Sequence, residues 1–211
     1  MPERSTGRAG RPSTGVREAL LEAAQAVLSE SGAARLTTRA VAQRAGVAEA
    51  SVFYHFGDRP GLLLAVVGEY LPQVVELFFG ERLRHGTLRA DLLALFEGLE
   101  SFFLRTAPVV AAVQADSEVR EAFRERSRRH DIGPHRAIEG TAAFLAARQA
   151  AGELPPDADL RAAAMLLVGA AYQRAYHRLL GAAGAQRWLA EPAETVDLLL
   201  RGLRAKQTDR P

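Results

Sequence analysis

The side chains that could carry out chemistry in this sequence are carboxylates, histidines, hydroxyls and arginines, because cysteine is absent. Without cysteine, a disulfide scaffold, a thiolate metal site, a cysteine nucleophile and a thiol redox switch are all excluded. No GxSxG motif, phosphate-binding loop or HExxH motif occurs either. The acidic residues at 116–125 alternate with arginines, which predicts a solvated helix face with local ion pairs. We therefore expect no enzymatic activity.

A metal site is the second chemistry to consider, at His130, Asp131 and His135. These residue types suit a transition metal. However, the two histidines stand on either side of Gly133-Pro134, which interrupts a helix, so they do not share a helix face. We expect neither a metal nor a cofactor.

A short segment from Ala48 to about His55 has a pattern typical of DNA recognition. Apolar residues occupy one side, where we expect the core anchors Val52, Phe53 and Phe56, preceded by Val47. The other side carries Glu49, Ala50, Ser51, Tyr54 and His55. Small residues at the N-terminal end of such a helix allow its backbone to approach the floor of a major groove.

The elements around this segment predict a helix-turn-helix. Apolar residues from Val16 to Leu28 recur with helical spacing, which indicates a first helix that ends at Ser31-Gly32. Either Thr37 or Thr38 can cap the second helix, and Gly46 ends it with a tight turn.

A fourth helix follows the recognition segment. Asp58 can cap it, and Pro60 stands in its first turn, where a missing N–H does no harm. We predict the remaining helices near 59–79, 88–105, 109–130, 134–151, 157–181 and 192–205, with a break at Ala107-Pro108. Sustained two-residue alternation is absent, so the sequence predicts an all-α protein.

The ordered combination in this region resembles the TetR family of transcriptional regulators. The family has A-x-x-A-G-V, a small or polar stretch, and then Y-x-H-F-x-x-K-x-x-L. This chain has Val41 to Val47 (VAQRAGV), then Phe53 to Arg59 (FYHFGDR), then Leu62. The match extends over about 45 residues from Val16 onward, and the rest resembles the family only in length and helical layout.

The resemblance implies phosphate contacts at the two ends of the motif. Thr37 or Thr38, at the start of the helix before the turn, would bond a phosphate through hydroxyl and backbone N–H groups. Arg59 stands where the family usually has lysine and would bind a backbone phosphate. Arg39 belongs to the same predicted DNA-binding set.

The resemblance also implies contacts from the recognition helix. Ala50 and Ser51 would face base edges, and Tyr54 and His55 would contact phosphates or sugars. Two positions depart from the family pattern. Phe53 replaces the usual tyrosine and lacks its hydroxyl, and Glu49 places an acid where phosphates repel it. A carboxylate can accept from cytosine N4, so we hypothesise that Glu49 discriminates between sequences.

Residues 1–15 are rich in Gly, Ser, Pro and Arg and predict a flexible basic arm. Arg8 and Arg11 precede the first helix, where such an arm can enter an adjacent minor groove. A tail without a partner is the alternative. We place the helix-turn-helix domain at 16–60, a sensing and dimerisation domain at 61–205 and a short tail at 206–211.

The family layout implies a pocket for an apolar or amphipathic effector within 59–151. Our candidate pocket residues are Phe78, Phe102, Phe103 and Phe144. The layout also implies homodimerisation through the helices near 157–181 and 192–205. The apolar stripes that we assign to this dimer surface are Leu160, Ala164, Leu167, Val168, Ala171, Tyr172, Ala175 and Leu179, then Val196, Leu199, Leu200 and Leu203. The alternative is that both stripes complete a monomer core.

The expected function is that of a DNA-binding regulator, usually a repressor in this family, which binds a palindromic operator as a dimer. No apolar run approaches the roughly 18 residues of a membrane helix, and the N-terminus lacks the apolar core of a signal peptide. We therefore expect a cytoplasmic protein without a membrane partner. A helical protein-interaction or effector-binding module without DNA binding is the alternative.

Overall fold

The computed structural model describes residues 13–79, 86–131, 133–181 and 184–204. Every regular element in these ranges is helical, which confirms the all-α prediction. The α-helices are α1 Ser13–Ser31, α2 Thr38–Ala45, α3 Ala50–Phe56, α4 Arg59–Phe79, α5 Leu88–Ala115, α6 Ser117–His130, α7 His135–Ala150, α8 Leu160–Leu180 and α9 Pro192–Arg204. Short 3₁₀ turns occur at Ala33–Arg35 and Ala185–Trp188. Among the described helices, none has both the length and the apolarity to cross a bilayer.

The chain divides into two compact units. Unit 1 extends to Gly68 and includes Pro108–Phe123, and unit 2 comprises Glu69–Ala107 and the chain from Arg124 onward. The sequence predicts a domain boundary after residue 60. In the structure, the last turns of α5, from Pro108 onward, and the first half of α6 also belong to the unit that contains the helix-turn-helix.

Unit 1 is built around the apolar face of α1, which packs against α2 and α3. Its buried side chains come from all the elements of the predicted helix-turn-helix and from the α5–α6 segment: Leu20, Leu21, Ala24, Leu28, Leu36, Val41, Val52, Leu62, Leu63, Ala112 and Val119. Burying a large aliphatic side chain contributes about 1.5–3 kcal/mol. This core therefore holds α2 and α3 in place and so fixes the positions of their exposed residues.

Unit 2 has its own core, formed by residues of α5, α7, α8 and α9. Its largest buried side chains include Leu92, Phe96, Leu99, Leu145, Leu167 and Leu200. Buried carboxylates in this unit are paired: Asp91 accepts from Arg148, and Glu100 accepts from Arg174 and Arg178. Pairing of this kind offsets the free-energy cost of removing a charge from water.

The predicted break at Ala107-Pro108 is wrong, because α5 continues through Pro108 to Ala115. A proline inside a helix removes one backbone hydrogen bond and costs about 3 kcal/mol. The turns that follow bury Val109, Ala112 and Val113, and their burial together outweighs that cost. The helix instead ends before Asp116, which caps α6.

The predicted arm is also corrected at its C-terminal end. Ser13–Gly15 belong to α1, so the helix begins three residues earlier than the apolar periodicity from Val16 indicates. Arg8 and Arg11 lie outside the described residues, and the arm's minor-groove contact stays a prediction.

The apolar stripes assigned to the dimer surface need correction as well. Most of the α8 stripe is buried within unit 2, as are two members of the α9 stripe: Ala164, Leu167, Val168, Ala171, Ala175, Val196 and Leu200. Other apolar residues of α8 and α9 are exposed: Met165, Leu166, Tyr172, Tyr176, Leu179, Leu180 and Leu198. Tyr172 and Leu179 are thus the members of the original stripes found on the exposed face.

Candidate nucleic-acid interface

The turn between α2 and α3 forms as the sequence predicts. Thr37, with extended backbone angles, is the N-cap of α2, and its Oγ1 accepts from the backbone N–H of Ala40 at 3.1 Å. At the other end, Gly46 adopts a left-handed conformation with φ of 69°, which a residue without Cβ adopts readily. Val47 N–H then donates to the Ala42 carbonyl at 3.0 Å, which closes the turn.

The structure decides between the two candidate caps and gives Thr38 a different partner. Thr38, the first residue of α2, donates its hydroxyl hydrogen to Glu49 Oε1 at 2.6 Å. Glu49 directly precedes α3, so this hydrogen bond joins the starts of the two helices. The carboxylate of Glu49 is therefore oriented by Thr38, and both side chains are partly buried.

The recognition helix α3 combines one buried anchor with an exposed face. Val52 is buried, as predicted, while Tyr54 is 81% exposed and Ala50 is exposed. Ser51 and His55 are half-buried. Tyr54 and His55 meet edge to face, with ring centroids 5.0 Å apart. Ala50, Ser51, Tyr54 and His55 thus share one short helix that is anchored in the core by Val52.

Phe53 is not the core anchor that the apolar pattern predicts, because its side chain is 50% exposed. Phe56 is half-buried, and the guanidinium of Arg17 lies 5.7 Å from the centre of its ring. In a helix of seven residues, Val52 and Phe56 share one face and Phe53 turns away from Val52. An exposed aromatic on a recognition helix can pack against a thymine methyl group, so Phe53 joins the candidate contacts.

The start of α4 is shaped by two residues next to Arg59. Asp58 Oδ1 accepts from the backbone N–H of Gly61 at 2.7 Å, which confirms the predicted cap. Gly61 approaches the preceding helix so closely that a Cβ atom would lie 2.0 Å from the Phe56 carbonyl oxygen. Only glycine fits there without displacement of the backbone, and this contact fixes the angle between α3 and α4.

Arg59 makes contacts within the protein at the position where the resemblance implies a phosphate. Its Nε donates to the Leu36 carbonyl at 2.9 Å, and its Nη1 donates to Asp116 Oδ2 at 2.5 Å. The side chains of Arg59 and Asp116 remain 31% and 26% exposed. No sequence pattern indicates Asp116 as a partner of Arg59, because the two residues are 57 positions apart.

Asp116 is also the cap of α6. Its Oδ1 accepts from the backbone N–H groups of Glu118 and Val119, at 3.0 and 3.1 Å. The pKa of this carboxyl is held below its ordinary value, chiefly by the Val119 hydrogen bond, which together with Arg59 and the Glu118 hydrogen bond outweighs the opposing effect of desolvation. An aspartate followed by a serine and a glutamate, as at Asp116-Ser117-Glu118, is a recognisable capping signal, which could have placed this helix start correctly.

Two further arginines of unit 1 have different surroundings. Arg39 is exposed on α2. Arg44 donates from both terminal nitrogens to Glu30, each at 2.7 Å, in an exposed bidentate pair. That pair joins the C-terminal ends of α1 and α2. Arg11 lies outside the described residues, so its DNA contact stays a prediction.

In unit 2, the predicted pocket residues are found in and around the core. Phe103 and Phe144 pack against the buried cluster, and Phe102 and Phe103 meet edge to face at 5.6 Å. Phe103 also meets Tyr172 edge to face at 5.3 Å. The side chain of Phe78 lies outside the described part of the structure. The role of these four residues in effector binding stays a prediction.

Two cavities of unit 2 are lined by other residues. One of about 530 Å³ has a mixed polar and apolar lining, in which the charged residues are Glu97, Glu100, Arg174, Arg178 and Glu191. The other, of about 500 Å³, is a mostly apolar groove between α8 and α9, with Leu166, Leu198 and Leu203 among its lining residues. Phe102, Phe103 and Phe144 line neither of them.

The residues of the described chain that come closest to a metal-ligand set are Asp131, His135 and Glu139, whose ligand atoms lie within 4.8 Å of one another. Glu139, which lies one helical turn beyond His135, was not among the residues that the sequence pairs at this place, His130, Asp131 and His135. All three residues of the metal-ligand set are exposed, and Arg136 donates to both carboxylates, at 3.2 and 2.7 Å. The arginine offsets one of the two negative charges and occupies an oxygen of each carboxylate, so we assign no metal here.

Comparison with known sequences agrees with this geometry. Residues 20–66 match the family described as bacterial regulatory proteins, tetR family, and residues 84–199 match the family described as tetracyclin repressor-like, C-terminal domain. The chain therefore belongs to the TetR family, whose members are DNA-binding transcriptional regulators. A search of curated proteins found no match.

Solved structures share this fold over most of the chain. Salmonella enterica GusR superposes with a TM-score of 0.65 at 20% identity, over 93% of this chain and 98% of that chain. SmeT, described as the repressor of the Stenotrophomonas maltophilia multidrug efflux pump SmeDEF, gives 0.62 at 21% identity, over 95% and 96%. FadR from Bacillus halodurans, described as a fatty acid degradation regulator, gives 0.63 at 14% identity, over 96% and 100%.

Proposed function

We propose that this chain is a ligand-responsive transcriptional regulator that binds a palindromic operator as a homodimer in the cytoplasm. The observation that carries the proposal is the exposed face of α3, where Tyr54 projects into solvent from a helix anchored by buried Val52. The capped start of α2 provides backbone N–H groups and a positive helix end, both of which favour phosphate. An exposed helix next to such a site is suited to a major groove.

Individual contacts follow from exposure and chemistry. Thr37, Tyr54 and His55 contact the DNA backbone and so position the helix-turn-helix on the duplex. Arg39 joins these backbone contacts. The exposed start of α3, at Ala50 and Ser51, approaches the base edges, and Phe53 packs against a thymine methyl group.

The regulatory half of the proposal is that a small apolar or amphipathic effector binds in unit 2 and releases the operator. Phe102, Phe103 and Phe144 are the candidate contacts, with Phe78 as the fourth from the sequence. An effector releases DNA only if its affinity for the conformation that cannot bind the operator exceeds its affinity for the conformation that can. Repression is the proposed mode, since it is the commoner role in the family and SmeT, with the same fold, is described as a repressor.

The dimer is proposed to form through the exposed apolar residues of α8 and α9 rather than through the buried stripe. Contiguous apolar side chains on a surface mark sites of association. Two-fold symmetry of such a dimer would present two copies of α3 to successive major grooves, about one DNA turn or a multiple of it apart. A palindromic operator is the consequence.

Selection of bound fragments from genomic DNA tests the proposal. The purified chain should enrich a palindrome whose half-sites are about 10 base pairs, or a multiple, apart. Tyr54→Ala should lower affinity for the selected sequence about tenfold through loss of a backbone contact, whereas the exposed Glu22→Ala on α1 should not. Failure to enrich any sequence would favour a helical interaction module and contradict the proposal.

A further inference from the structure

Arg59 is the first residue of α4, where the resemblance to the TetR family implies a contact of its guanidinium with a DNA phosphate. Its hydrogen bond to the Leu36 carbonyl, at 2.9 Å, places it beside the residue that precedes Thr37, the cap of α2. A phosphate bound at the start of α2 would therefore lie close to this guanidinium. The arginine side chain is 31% exposed, so a phosphate can reach it.

The same guanidinium already has an anionic partner. Asp116 Oδ2 accepts from Arg59 Nη1 at 2.5 Å, while Asp116 Oδ1 is held by the backbone N–H groups of Glu118 and Val119. The carboxylate is thus fixed in place by α6 and does not depend on Arg59 for its position. Hydrogen bonds from α6 and from Arg59 both keep its pKa low, so the group carries its charge at neutral pH.

Carboxylate and phosphate oxygens compete for the same donors. Both are anionic acceptors, and arginine matches both with the same planar arrangement of N–H groups. One guanidinium charge cannot neutralise two anions, so a phosphate that approaches Arg59 also meets the negative charge of Asp116.

We propose that Asp116 acts as an intramolecular competitor of the operator phosphate, holding Arg59 back and so setting the affinity of this chain for DNA. The inference rests on the proposed function, because it assumes that Arg59 faces the DNA backbone. Asp116 is an affinity-setting residue that acts through Arg59 and makes no DNA contact itself.

The test compares Asp116→Asn with Glu118→Gln in the full-length chain. Asparagine is as good an N-cap as aspartate, so Asp116→Asn removes the competing charge and keeps the start of α6. Glu118→Gln removes one negative charge two residues away and serves as the matched control. Binding is measured by fluorescence anisotropy on the selected operator and on a scrambled duplex, across a series of salt concentrations.

Asp116→Asn should bind both duplexes about three- to tenfold more tightly than wild type, because a phosphate contact does not depend on sequence. The slope of log K against log salt should become steeper by about 0.9 per protomer, which corresponds to one added phosphate contact. Glu118→Gln should leave the slope unchanged. Tighter binding at an unchanged slope would overturn the inference, as would binding no tighter than that of the control.

A double-mutant cycle separates competition from a structural effect. In an Arg59→Gln background, Asp116→Asn should change affinity no more than Glu118→Gln does, since no guanidinium remains to be released. An equal gain in both backgrounds would overturn the inference. If Asp116→Asn does not fold, Asp116→Ser, which also caps a helix, replaces it in the same comparison.

The same measurements distinguish failure of the inference from failure of the proposed function. If the wild-type chain binds its operator and Asp116→Asn shows no gain in affinity, the result contradicts only the competition by Asp116. If neither the wild type nor the variants bind either duplex, the result contradicts the proposed function and the inference with it.

Discussion

Glu49 puts a carboxylate at the start of the recognition helix, where every phosphate of a bound duplex would repel it. The hydroxyl of Thr38 donates to this carboxylate, so the same hydrogen is not available to a DNA phosphate. Both effects weaken binding to DNA of any sequence. A contact that accepts from a cytosine amino group would restore affinity only on sequences that provide one.

Replacement of Glu49 by alanine should therefore relax specificity. We expect the variant to bind random duplexes more tightly and to lose its preference at one base pair of each half-site. A bidentate contact to a base discriminates by about 1–3 kcal/mol, and a single hydrogen bond by less. Binding across an operator library measures both quantities. Uniformly tighter binding without a change in base preference would show that Glu49 only repels DNA.

Gly61 permits the close approach of α4 to the Phe56 carbonyl, so its replacement by alanine should destabilise unit 1. Overpacking of this kind costs about 1–3 kcal/mol. The matched control is Gly68→Ala in the same helix, where a Cβ meets no atom within 4 Å and helix propensity predicts a gain of about 0.5–1 kcal/mol. Thermal unfolding of both variants gives the comparison, and equal stabilities would contradict the proposed role of the glycine.

At the scale of elements, an ion pair joins the start of α5 to α9 within unit 2. Arg89 donates from Nε and Nη2 to the two carboxylate oxygens of Asp197, at 2.6 and 2.9 Å. The hydrogen bond from Arg89 is the main reason that the pKa of Asp197 is lowered, and Arg201 contributes a weaker attraction. Both side chains are exposed to solvent, so the pair contributes little to the free energy of unfolding. Its main effect is to hold α9 next to the start of α5.

This pair predicts a pH dependence whose sign follows from the lowered pKa. A carboxyl whose pKa is lower in the folded chain stabilises it above its unfolded pKa of about 3.9, and that contribution is lost as pH falls through the folded value. The stability difference between wild type and Asp197→Asn should be constant near neutral pH and shrink below about pH 4. Urea unfolding at several pH values measures this stability difference, with the exposed Asp157→Asn as the control. A difference that does not depend on pH would contradict the prediction.

At the scale of the whole molecule, the apolar residues exposed on α8 and α9 predict the oligomeric state. Leu198→Glu places a charge on this face at a side chain that is 64% exposed, so the protomer should fold while the dimer dissociates. Val110→Glu, which changes a similarly exposed apolar residue of unit 1, should remain dimeric. Sedimentation velocity distinguishes the two, and a Leu198→Glu variant that stays dimeric would place the interface elsewhere.

The sequence by itself determined the helix-turn-helix, because its signals are local. The cap at Thr37, the left-handed turn at Gly46 and the cap at Asp58 each act within three or four residues. The apolar spacing of α1 and the TetR-like order of the motif needed no knowledge of distant residues.

Tertiary structure alone decided which apolar faces are buried and which charges meet. Helical periodicity finds an apolar stripe but not its partner, and most of the α8 stripe predicted to form the dimer surface is buried in the core of unit 2 instead. Burial of the turns after Pro108 outweighs the cost of a proline inside a helix, and Phe53 is exposed because it lies on the side of α3 turned away from buried Val52. The pairing of Arg59 with Asp116 joins residues far apart in the chain, because ion pairs depend on distance in space, which only the packed helices fix.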